Sequence, residues 1–223
     1  MNLLDVYQGS LPERCFITDD PYRVKMIAAH YLDEVQIFSE IRGQVGLMGK
    51  FEGIPVTVIS VGAGKLSTMA YLAELNRYHK LKRLIYYGDC VTDEVGLPVG
   101  STLYVTKALE KGISYAPSDP LLSIAVNRLT LDHIKAYQGI TVTEENYLIH
   151  PNYMKQSDSN ILDFTTSTIY GLGERHREIE VLSVLNVCEN ISSHEVIQEA
   201  VRQSGNQLVI RSVLNILSCN SNI

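Results

Sequence analysis

The chain of 223 residues contains no tryptophan, no C-x-x-C pair among its four cysteines and no cluster among its six histidines. Structural zinc sites and redox motifs need ligands or thiols at short, regular spacings, so no metal site is predicted. The cysteines lie mostly in apolar, strand-like surroundings and are interpreted as reduced, buried thiols. His30 and His133 fall within helical patterns and are interpreted as structural.

A basic tract and a long apolar run are also absent. The chain has 19 basic against 25 acidic residues, a formal net charge of −6, which argues against nucleic acid or an anionic membrane surface as a partner. No apolar run approaches the length of a membrane-spanning helix, and Met1–Asp5 lacks the basic and apolar parts of a signal peptide. We therefore expect a cytoplasmic protein that binds neither nucleic acid nor membrane.

What the chain does contain is a regular alternation of strand and helix patterns. With 45% hydrophobic residues it can bury a sizeable core, and a single domain over residues 1–223 is predicted. The predicted strands are Arg14–Thr18, Pro55–Val61, Arg83–Tyr87, Thr102–Thr106, Gly139–Thr143 and Ile179–Val187. The predicted helices are Pro21–Leu32, Lys65–Tyr78, Pro120–Tyr137, Asn160–Gly171 and Ser193–Leu217.

The order of these elements predicts the architecture. Alternating strands and helices place helices on both faces of a central sheet. The segments Val45–Phe51 and Ile54–Ile59, joined by a short turn with glycine, are typical of a β-hairpin, so the sheet is not purely parallel. The fold class is therefore predicted to be α/β, a three-layer α/β/α sandwich with a mixed central sheet.

The most informative segment runs from Cys15 to Lys25 and joins a short apolar strand to a helix N-terminus. Such a junction is where α/β proteins usually hold an anion or a polar ligand, because backbone N–H groups point out of the helix. Here Asp19 and Asp20 occupy the turn, and Arg23 follows in the first helical turn. Two carboxylates at a junction that usually holds an anion predict that the ligand of this site is no longer an anion.

A second strand-to-helix turn, residues 62–67 (GAGKLS), is rich in glycine. It follows a β-branched strand and would expose backbone N–H groups at a helix N-terminus. It lacks the full dinucleotide-binding or P-loop pattern, and such turns are structural about as often as they bind a ligand. Taken alone, this turn does not distinguish a binding site from a structural element.

Together these segments form an order of motifs that resembles the nucleoside phosphorylase superfamily of the trimeric or hexameric kind. That family includes bacterial purine nucleoside phosphorylases, uridine phosphorylases and nucleosidases. The matching stretches are TDDPYRVKMIA, IRGQVGLMGKFEGIPVTVISVGAGKLSTMAYLAEL and LIYYGDC, continuous over residues 14–110, and later ILDFTTSTIYG and VLSVLNVCENI. The resemblance implies a nucleoside phosphorylase-like fold, no cofactor, and a small-molecule nucleoside or nucleobase as partner. It also implies a homodimer or a hexamer built as a trimer of dimers.

The resemblance implies a former phosphate pocket in which three positions have changed. Asp19 stands at the position of the family's first phosphate-binding glycine, Tyr86 at that of an arginine and Asp89 at that of a serine or threonine. The positions that match the family are Arg23, Arg42, Gly64 and Ser67. In the family, the arginine that corresponds to Arg42 is lent across a subunit interface.

These replacements predict that phosphate no longer binds. At a typical effective dielectric constant, one carboxylate about 4 Å from a phosphate charge costs roughly 4 kcal/mol, whereas micromolar binding is worth only about 8 kcal/mol. Two interpretations of the carboxylates stay open. Asp19 or Asp89 activates water as a general base, as a carboxylate does in the family's nucleosidase branch, or both acids only form internal salt bridges with the arginines.

The base-binding half of the site departs from the family as well. Glu189 corresponds to the aspartate that protonates the purine, Arg202 to the arginine that assists this acid, and Tyr147 to the aromatic residue that stacks on the base. A glutamate can serve as a general acid if partial burial raises its pKa. The alternative for Glu189 is a structural role beside a helix N-terminus or in a buried ion pair.

The ribose motif of the family, E-M-E, falls on Asp163-Phe164-Thr165. Thr165 therefore replaces the glutamate that binds the ribose hydroxyls, and Phe164 replaces the methionine. A carboxylate would accept hydrogen bonds from both ribose hydroxyls, whereas a threonine offers one weak, neutral hydrogen-bond partner. We therefore expect a substrate that is altered at the sugar, such as a deoxy or a 5′-modified nucleoside.

Two functions of different classes follow from these observations. In the first, the protein acts on the N-glycosidic bond of a purine-type or modified nucleoside by phosphate-independent hydrolysis. In the second, it is a non-catalytic binding or partner protein with the same fold. The arginines that match the family and the carboxylate of Glu189 favour the first, whereas simultaneous changes at the phosphate, ribose and acid positions favour the second.

Overall fold

The computed structural model describes Leu4, residues 10–144 and residues 159–219. Its strands are β1 Arg14–Thr18, β2 Asp33–Ile41, β3 Gln44–Phe51, β4 Ile54–Ser60, β5 Arg83–Thr92, β6 Thr102–Glu110, β7 Ile113–Tyr115, β8 Ala136–Thr143, β9 Ile161–Asp163, β10 Glu180–Asn190 and β11 Glu195–Val196. Its helices are α1 Pro21–Tyr31, α2 Lys65–Tyr78, α3 Asp119–Leu131, α4 Thr166–Arg175, α5 Glu199–Ser204 and α6 Gln207–Ser218.

The described strands form one mixed sheet of eleven strands. Its centre is parallel, because β1 pairs with β4 and β5 and β5 pairs with β10 in the same direction. The hairpin β3–β4 and the strand β2 extend one side in antiparallel fashion. On the other side β10, β6, β8, β9 and β5 pair in a closed ring, since β5 contacts both β9 and β10.

Helices pack on both faces of this sheet and create two hydrophobic cores. Side chains alternate along a strand, so neighbouring residues of β5 point to opposite faces. Tyr86 belongs to the core that is formed with α2 and α4, whereas Tyr87 belongs to the core formed with α1, α3 and α6. The sheet with a helical layer on each side agrees with the predicted three-layer sandwich.

Two predicted helices were too long. The first of them, predicted as Pro120–Tyr137, ends at Leu131, because His133 takes a left-handed backbone conformation with φ 56° and the chain then enters β8. The second, predicted as Ser193–Leu217, is divided into β11, α5 and α6. Gly205, with φ 65°, ends α5, and the side chain of Asn206 caps α6 by accepting from two backbone N–H groups.

Several strands, in contrast, extend beyond their predicted bounds. The strand predicted as Arg83–Tyr87 continues to Thr92, so Asp89 is a residue of β5 and not of a following loop. The strand predicted as Ile179–Val187 likewise continues to Asn190 and carries Glu189 near its end. Both side chains therefore lie near the carboxyl ends of adjacent parallel strands, where open α/β sheets bind ligands.

The helices of the described residues are short. The longest, α2, has 14 residues, whereas a membrane-spanning helix needs about 20 predominantly apolar ones. Within the described part of the chain, no helix is long and apolar enough to cross a membrane.

Candidate functional site

The guanidinium group of Arg23 lies at the centre of the candidate site. Asp20 caps α1 by accepting from the N–H of Tyr22, which places Arg23 in the first turn with its side chain fully buried. Its Nη1 donates to Thr18 Oγ1 at 3.1 Å, and its Nη2 donates to the carbonyl oxygen of Arg202 at 2.7 Å. Both terminal nitrogens of the buried guanidinium thus donate to uncharged oxygen atoms.

The two carboxylates of the former phosphate pocket also contact Arg23. The distance from Nη1 to Asp19 Oδ1 is 3.4 Å, and that from Nη2 to Asp89 Oδ2 is 3.3 Å. A second cation, Arg202, approaches Asp89 with 3.7 Å between Nη1 and Oδ2. The structure therefore brings Asp19, Asp89, Arg23 and Arg202 together in one cluster of alternating charge.

Asp89 and Asp19 differ in their exposure and in their electrostatic surroundings. The side chain of Asp89 is 9% exposed, and that of Asp19 is 18% exposed. Burial raises the pKa of Asp89 from 3.8 to about 6, with a further increase from the charge of Asp19, although Arg23 and Arg202 oppose the shift. A carboxyl group that is half-ionised near pH 6 is suited to accept a proton at near-neutral pH.

Tyr86 lies on the opposite face of β5 from Tyr87 and is 2% exposed. Its hydroxyl folds back over Gly88, because a Cβ on this glycine would be 2.0 Å from the phenolic oxygen. Burial raises the pKa of Tyr86 well above its usual value, and the carboxylates of Asp19 and Asp163 raise it further, while Thr165 lies against the phenol. An uncharged phenol thus occupies the position at which the resemblance expects an arginine.

The segment that corresponds to the ribose motif is largely enclosed. Asp163 is fully buried, and its Oδ1 accepts from Thr143 Oγ1 at 2.9 Å, from Thr165 N at 2.9 Å and from Thr166 N at 3.0 Å. Asp163 thereby satisfies N–H groups at the start of α4. Its Oδ2 is buried and has no hydrogen-bond partner within the described ranges. Thr165 is 1% exposed, whereas Phe164 is half-buried.

Glu189 lies near the end of β10, between Val91 of β5 and Val196 of β11. Pairing of β10 with β5 shifts by one residue here, so Cys188 forms a bulge. Among the residues that the structure describes, none forms a hydrogen bond or ion pair with the Glu189 carboxylate. Glu189 as a residue is half-buried, and its carboxylate is not held in an internal ion pair of the described residues.

Arg202 does not contact Glu189, although the resemblance assigns it to this acid. Its Nε and Nη2 instead donate to the two carboxylate oxygens of Glu199 at 2.9 Å and 2.7 Å. The remaining Nη1 faces Asp89. Arg202 thus belongs to the carboxylate cluster around Arg23, an arrangement for which the spacing of the sequence contains no signal.

The glycine-rich turn before α2 is held by its own hydrogen bonds. Gly62 and Gly64 adopt φ 73° and 95°, which side chains with a Cβ rarely adopt. The hydroxyl of Ser67 donates to the carbonyl oxygen of Val61 and is therefore engaged within the turn. Gly64 caps α2 without a side-chain hydrogen bond. The turn therefore has a structural role, and its contact with a ligand stays a prediction.

An ion pair that was not predicted from the sequence holds the start of α2, directly after this turn. Lys65, the first residue of α2, pairs with Glu110 at the end of β6. Glu110 also accepts from Ser167 Oγ of α4 at 2.9 Å. Burial raises the pKa of Glu110, but the hydrogen bonds from Lys65 and Ser167 outweigh it and lower the pKa overall. The pair connects α2, β6 and α4 beside the candidate site.

Of the two predicted site residues that remain, Arg42 and Tyr147, the structure describes only Arg42. Arg42 is exposed at the turn between β2 and β3, with φ 56°, and its charge is close to Tyr71 of α2. It forms no ion pair with Asp19 or Asp89 of its own chain within the described residues. Tyr147 lies outside the described residues.

Comparison with known proteins adds an independent line of evidence. No protein-family model matches the chain. The chain is 26% identical over 216 residues to a DeoD-type purine nucleoside phosphorylase of Bacillus cereus, covering 90% of this chain and 92% of that protein. Proteins of the same name from Bacillus thuringiensis (strain Al Hakam) and Bacillus mycoides (strain KBAB4) show the same identity and coverage.

A solved structure resembles the whole fold. The crystal structure of purine nucleoside phosphorylase from Toxoplasma gondii in complex with immucillin-H superimposes with a TM-score of 0.81 at 19% sequence identity, covering 94% of this chain and 91% of that one. The chain therefore has the nucleoside phosphorylase fold, and the predicted fold class is confirmed. The sequence similarity across 90% of the chain and the shared fold both support the resemblance to the nucleoside phosphorylase superfamily that the motifs indicate.

Proposed function

We propose that this protein hydrolyses the N-glycosidic bond of a purine-type or modified nucleoside without using phosphate. The relatives are named purine nucleoside phosphorylases, so the proposal keeps the bond that their name implies and changes the nucleophile from phosphate to water. The observation that carries it is the contact of Asp19 and Asp89 with the buried guanidinium of Arg23.

This cluster opposes phosphate binding in two ways. The terminal nitrogens of Arg23 already contact Thr18, Asp19, Asp89 and the Arg202 carbonyl oxygen, so they offer no free donor pair to an oxyanion. Each carboxylate about 4 Å from a phosphate charge would cost roughly 4 kcal/mol at an effective dielectric constant of about 20. Two of them would offset the roughly 8 kcal/mol of a micromolar complex.

The same carboxylates can activate water. Asp89 removes a proton from a water molecule whose oxygen then bonds to the anomeric carbon, while the carbon–nitrogen bond breaks. Glu189 gives its proton to the leaving base. In the net reaction the sugar gains a hydroxyl group and the base gains a proton. Proton transfers of this kind contribute typically 10²- to 10⁴-fold to a rate.

Asp89 is the stronger candidate for the base. Its pKa of about 6 lets it be ionised at neutral pH and still bind a proton during the reaction. Asp19 has a more exposed carboxylate and lies against the same cation. In this mechanism Asp19 orients Arg23 and water, and Asp89 takes the proton.

A non-catalytic role is the second candidate, and one observation favours it. Arg202 pairs with Glu199 and Asp89, and no cation of the described residues forms an ion pair with Glu189 that would stabilise the carboxylate when this acid gives up its proton. A binding or partner protein would keep the fold and bind its ligand without needing a working acid. The two candidates differ in whether a free base is released.

The deciding experiment measures free base by mass spectrometry after incubation of the protein with a pooled panel of purine and modified nucleosides, with and without phosphate. Release at the same rate in both arms, and its loss in Asp89→Asn, is the expected result. Release that requires phosphate would show a phosphorylase and contradict the proposal. Nucleoside binding without any release would favour the non-catalytic role.

A further inference from the structure

We propose that Tyr87 is a positioning residue of the candidate site, which holds two arginines in place against Asp89. Its ring lies under the guanidinium of Arg23, and its hydroxyl holds the turn that follows α5, the helix that carries Arg202. The inference rests on the proposed function, because it concerns the surroundings of the proposed base. The resemblance to the nucleoside phosphorylase superfamily assigns roles to Tyr86 and Asp89 but none to Tyr87.

The aromatic ring of Tyr87 supports the buried cation directly. The Cζ of Arg23 lies over the ring, 5.0 Å from its centroid, and a cation within about 6 Å of a ring centroid is attracted by the ring face. The guanidinium is buried, and its Nε has no hydrogen-bond partner among the described residues. The ring therefore provides stabilisation that hydrogen bonds leave incomplete, and it limits how far the guanidinium can move.

Strand geometry brings this ring and Asp89 to the same cation. Residues two apart on a strand point to the same side, so Tyr87 and Asp89 share one face of β5. Arg23 reaches this face from α1. Its Nη1 donates to the carbonyl oxygen of Tyr87 at 3.3 Å, and its Nη2 lies 3.3 Å from Asp89 Oδ2. A displacement of the ring would therefore move the cation relative to the carboxylate.

The hydroxyl of Tyr87 anchors the turn between α5 and α6. It accepts from the backbone N–H of Asn206 at 3.1 Å and from the side-chain amide of Asn186. Gly205 packs directly on the phenol, since a Cβ on this glycine would lie 3.2 Å from Cε1 and 3.3 Å from the hydroxyl oxygen. The turn is thus fixed to the same side chain that supports Arg23.

This anchor acts on the second cation of the cluster. Arg202 lies in the last turn of α5, just before the anchored turn. Its carbonyl oxygen accepts from Arg23 Nη2 at 2.7 Å, and its own Nη1 lies 3.7 Å from Asp89 Oδ2. The ring of Tyr87 therefore acts on Asp89 through Arg23, and the hydroxyl acts on it through Arg202.

A role in packing alone predicts a different result. Tyr87 is fully buried, and its ring packs against that of Phe16 with the centroids 6.1 Å apart, as in an ordinary core. A tyrosine that only packs would change the stability of the fold when it is replaced. It would not change the ionisation of Asp89, which is therefore the quantity to measure.

The other groups around Asp89 allow a clear interpretation of that measurement. The charged groups that act on it are Arg23, Asp19 and Arg202, and the neighbouring titratable groups are Tyr86, Tyr87, Cys90 and Cys188. Burial raises the pKa of both tyrosines and of both thiols, so these four groups are uncharged near pH 6. A change in the pKa of Asp89 therefore reports on its two arginines and on Asp19.

The test follows the carboxyl carbon of Asp89 by ¹³C NMR from pH 4 to 9 in the full chain, with the signal assigned by its loss in Asp89→Asn. Tyr87→Phe keeps the ring and loses the hydroxyl, so the pKa of Asp89 should rise by about half a unit as Arg202 withdraws. Tyr87→Leu also loses the ring, and the rise should reach about one unit or more. An unchanged or lower pKa in Tyr87→Leu would overturn the proposal.

Tyr170→Phe and Tyr170→Leu are the matched controls. Tyr170 is also fully buried, and its hydroxyl also has two partners, the carbonyl oxygen of Val105 and the N–H of Ser183, but it belongs to the core on the other face of the sheet. Both controls should leave the titration of Asp89 unchanged, and an equal shift in them would overturn the positioning role. Thermal unfolding shows which variants are folded, and if Tyr87→Leu is not, Tyr87→Phe against Tyr170→Phe decides.

Failure of this inference is distinguishable from failure of the proposed hydrolysis. If base is released, the rise of kcat/KM with pH should move upward in the same order as the NMR titration. If no nucleoside releases its base, the NMR titration alone decides, and a raised pKa in the Tyr87 variants supports the positioning role while hydrolysis is wrong. A shifted titration with an unshifted kcat/KM profile would show that Asp89 is not the base, which contradicts the proposed function and not the role of Tyr87.

Discussion

Asp89 Oδ2 lies 3.3 Å from Nη2 of Arg23, yet the pKa of Asp89 is raised to about 6 and not lowered. The loss of hydration on burial therefore outweighs the attraction of the arginine, which is the usual outcome when an ion pair is removed from water. Ionisation of Asp89 is therefore less favourable in the folded protein than in the unfolded chain. This relationship leads to the first three predictions.

Asp89→Asn is expected to stabilise the protein above pH 7 and to have little effect at pH 4. Because the pKa of Asp89 is raised on folding, its contribution to stability is fully present below about pH 4 and is lost as the pH rises through about 6. Asparagine resembles the protonated acid at every pH. At 1.4 kcal/mol per pKa unit, the gain at pH 8 is on the order of 1–3 kcal/mol.

Urea unfolding of Asp89→Asn and wild type at pH 4, 6 and 8 measures this gain. Asp20→Asn is not a suitable control, because Asp20 caps α1. Asp33→Asn, at the exposed start of β2, is a matched surface control and should show no such pH dependence. A variant less stable than wild type at pH 8 would show that the attraction of Arg23 exceeds the cost of burial.

The rate of base release should rise with pH through an apparent pKa near 6. Asp89 can accept a proton only in its ionised form, which becomes dominant as the pH passes the value to which burial raises its pKa. The profile of kcat/KM between pH 4.5 and 8 checks this directly. Asp89→Asn should abolish the rise and lower the plateau by about 10²-fold or more, whereas Asp19→Asn should keep the rise.

Arg23→Met is expected to destabilise the protein by about 3–5 kcal/mol at pH 8, since it removes the buried cation that both carboxylates contact and leaves Asp89 only the more distant Arg202. Part of this loss should disappear at pH 5, where Asp89 is protonated. The destabilisation that remains at pH 5 arises because carbonyl oxygens, such as that of Arg202, lose their hydrogen-bond donor. Urea unfolding at both pH values separates the two, and an equal loss at both would contradict the electrostatic part.

These predictions show which parts of the site were accessible from the sequence. Pro21 after two aspartates marks the start of α1, and the apolar runs of β1 and β5 place Asp19 and Asp89 near the carboxyl ends of adjacent strands. The meeting of both acids with Arg23 follows from that topology. Local patterns thus predict contacts when strand pairing is parallel and the helix begins directly after the strand.

Other features depended on interactions that no local pattern contains. The strand β2 is largely exposed over its first half, so it lacks the apolar alternation by which strands are recognised. The divided C-terminal helix depends on the backbone conformation of Gly205. The resemblance assigns Arg202 to Glu189, and only the structure shows that Arg202 forms its ion pairs with Glu199 and Asp89.

Glu189→Gln should lower the rate of base release by roughly two orders of magnitude or more, because glutamine cannot give a proton to the leaving base. Glu195→Gln is the matched control, since Glu195 lies on the paired strand β11, is exposed, and should leave the rate unchanged. Steady-state rates with a substrate identified in the panel provide the measurement. An unchanged rate in Glu189→Gln would remove this residue from the mechanism.

Restoring the residues expected for a phosphate site should restore phosphate binding. The triple variant Asp19→Gly, Tyr86→Arg and Asp89→Ser removes both carboxylates that contact Arg23 and adds a second guanidinium on β5. Arginine pairs bind phosphate through parallel, charge-assisted hydrogen bonds. Isothermal titration with inorganic phosphate should therefore detect binding to the triple variant and none to wild type.

The variant Asp19→Asn with Asp89→Asn serves as control, because it removes the repulsion without adding the cation and should bind phosphate more weakly than the triple variant. A folded triple variant that does not bind phosphate would contradict the proposal that Asp19, Tyr86 and Asp89 are the side chains that exclude the anion.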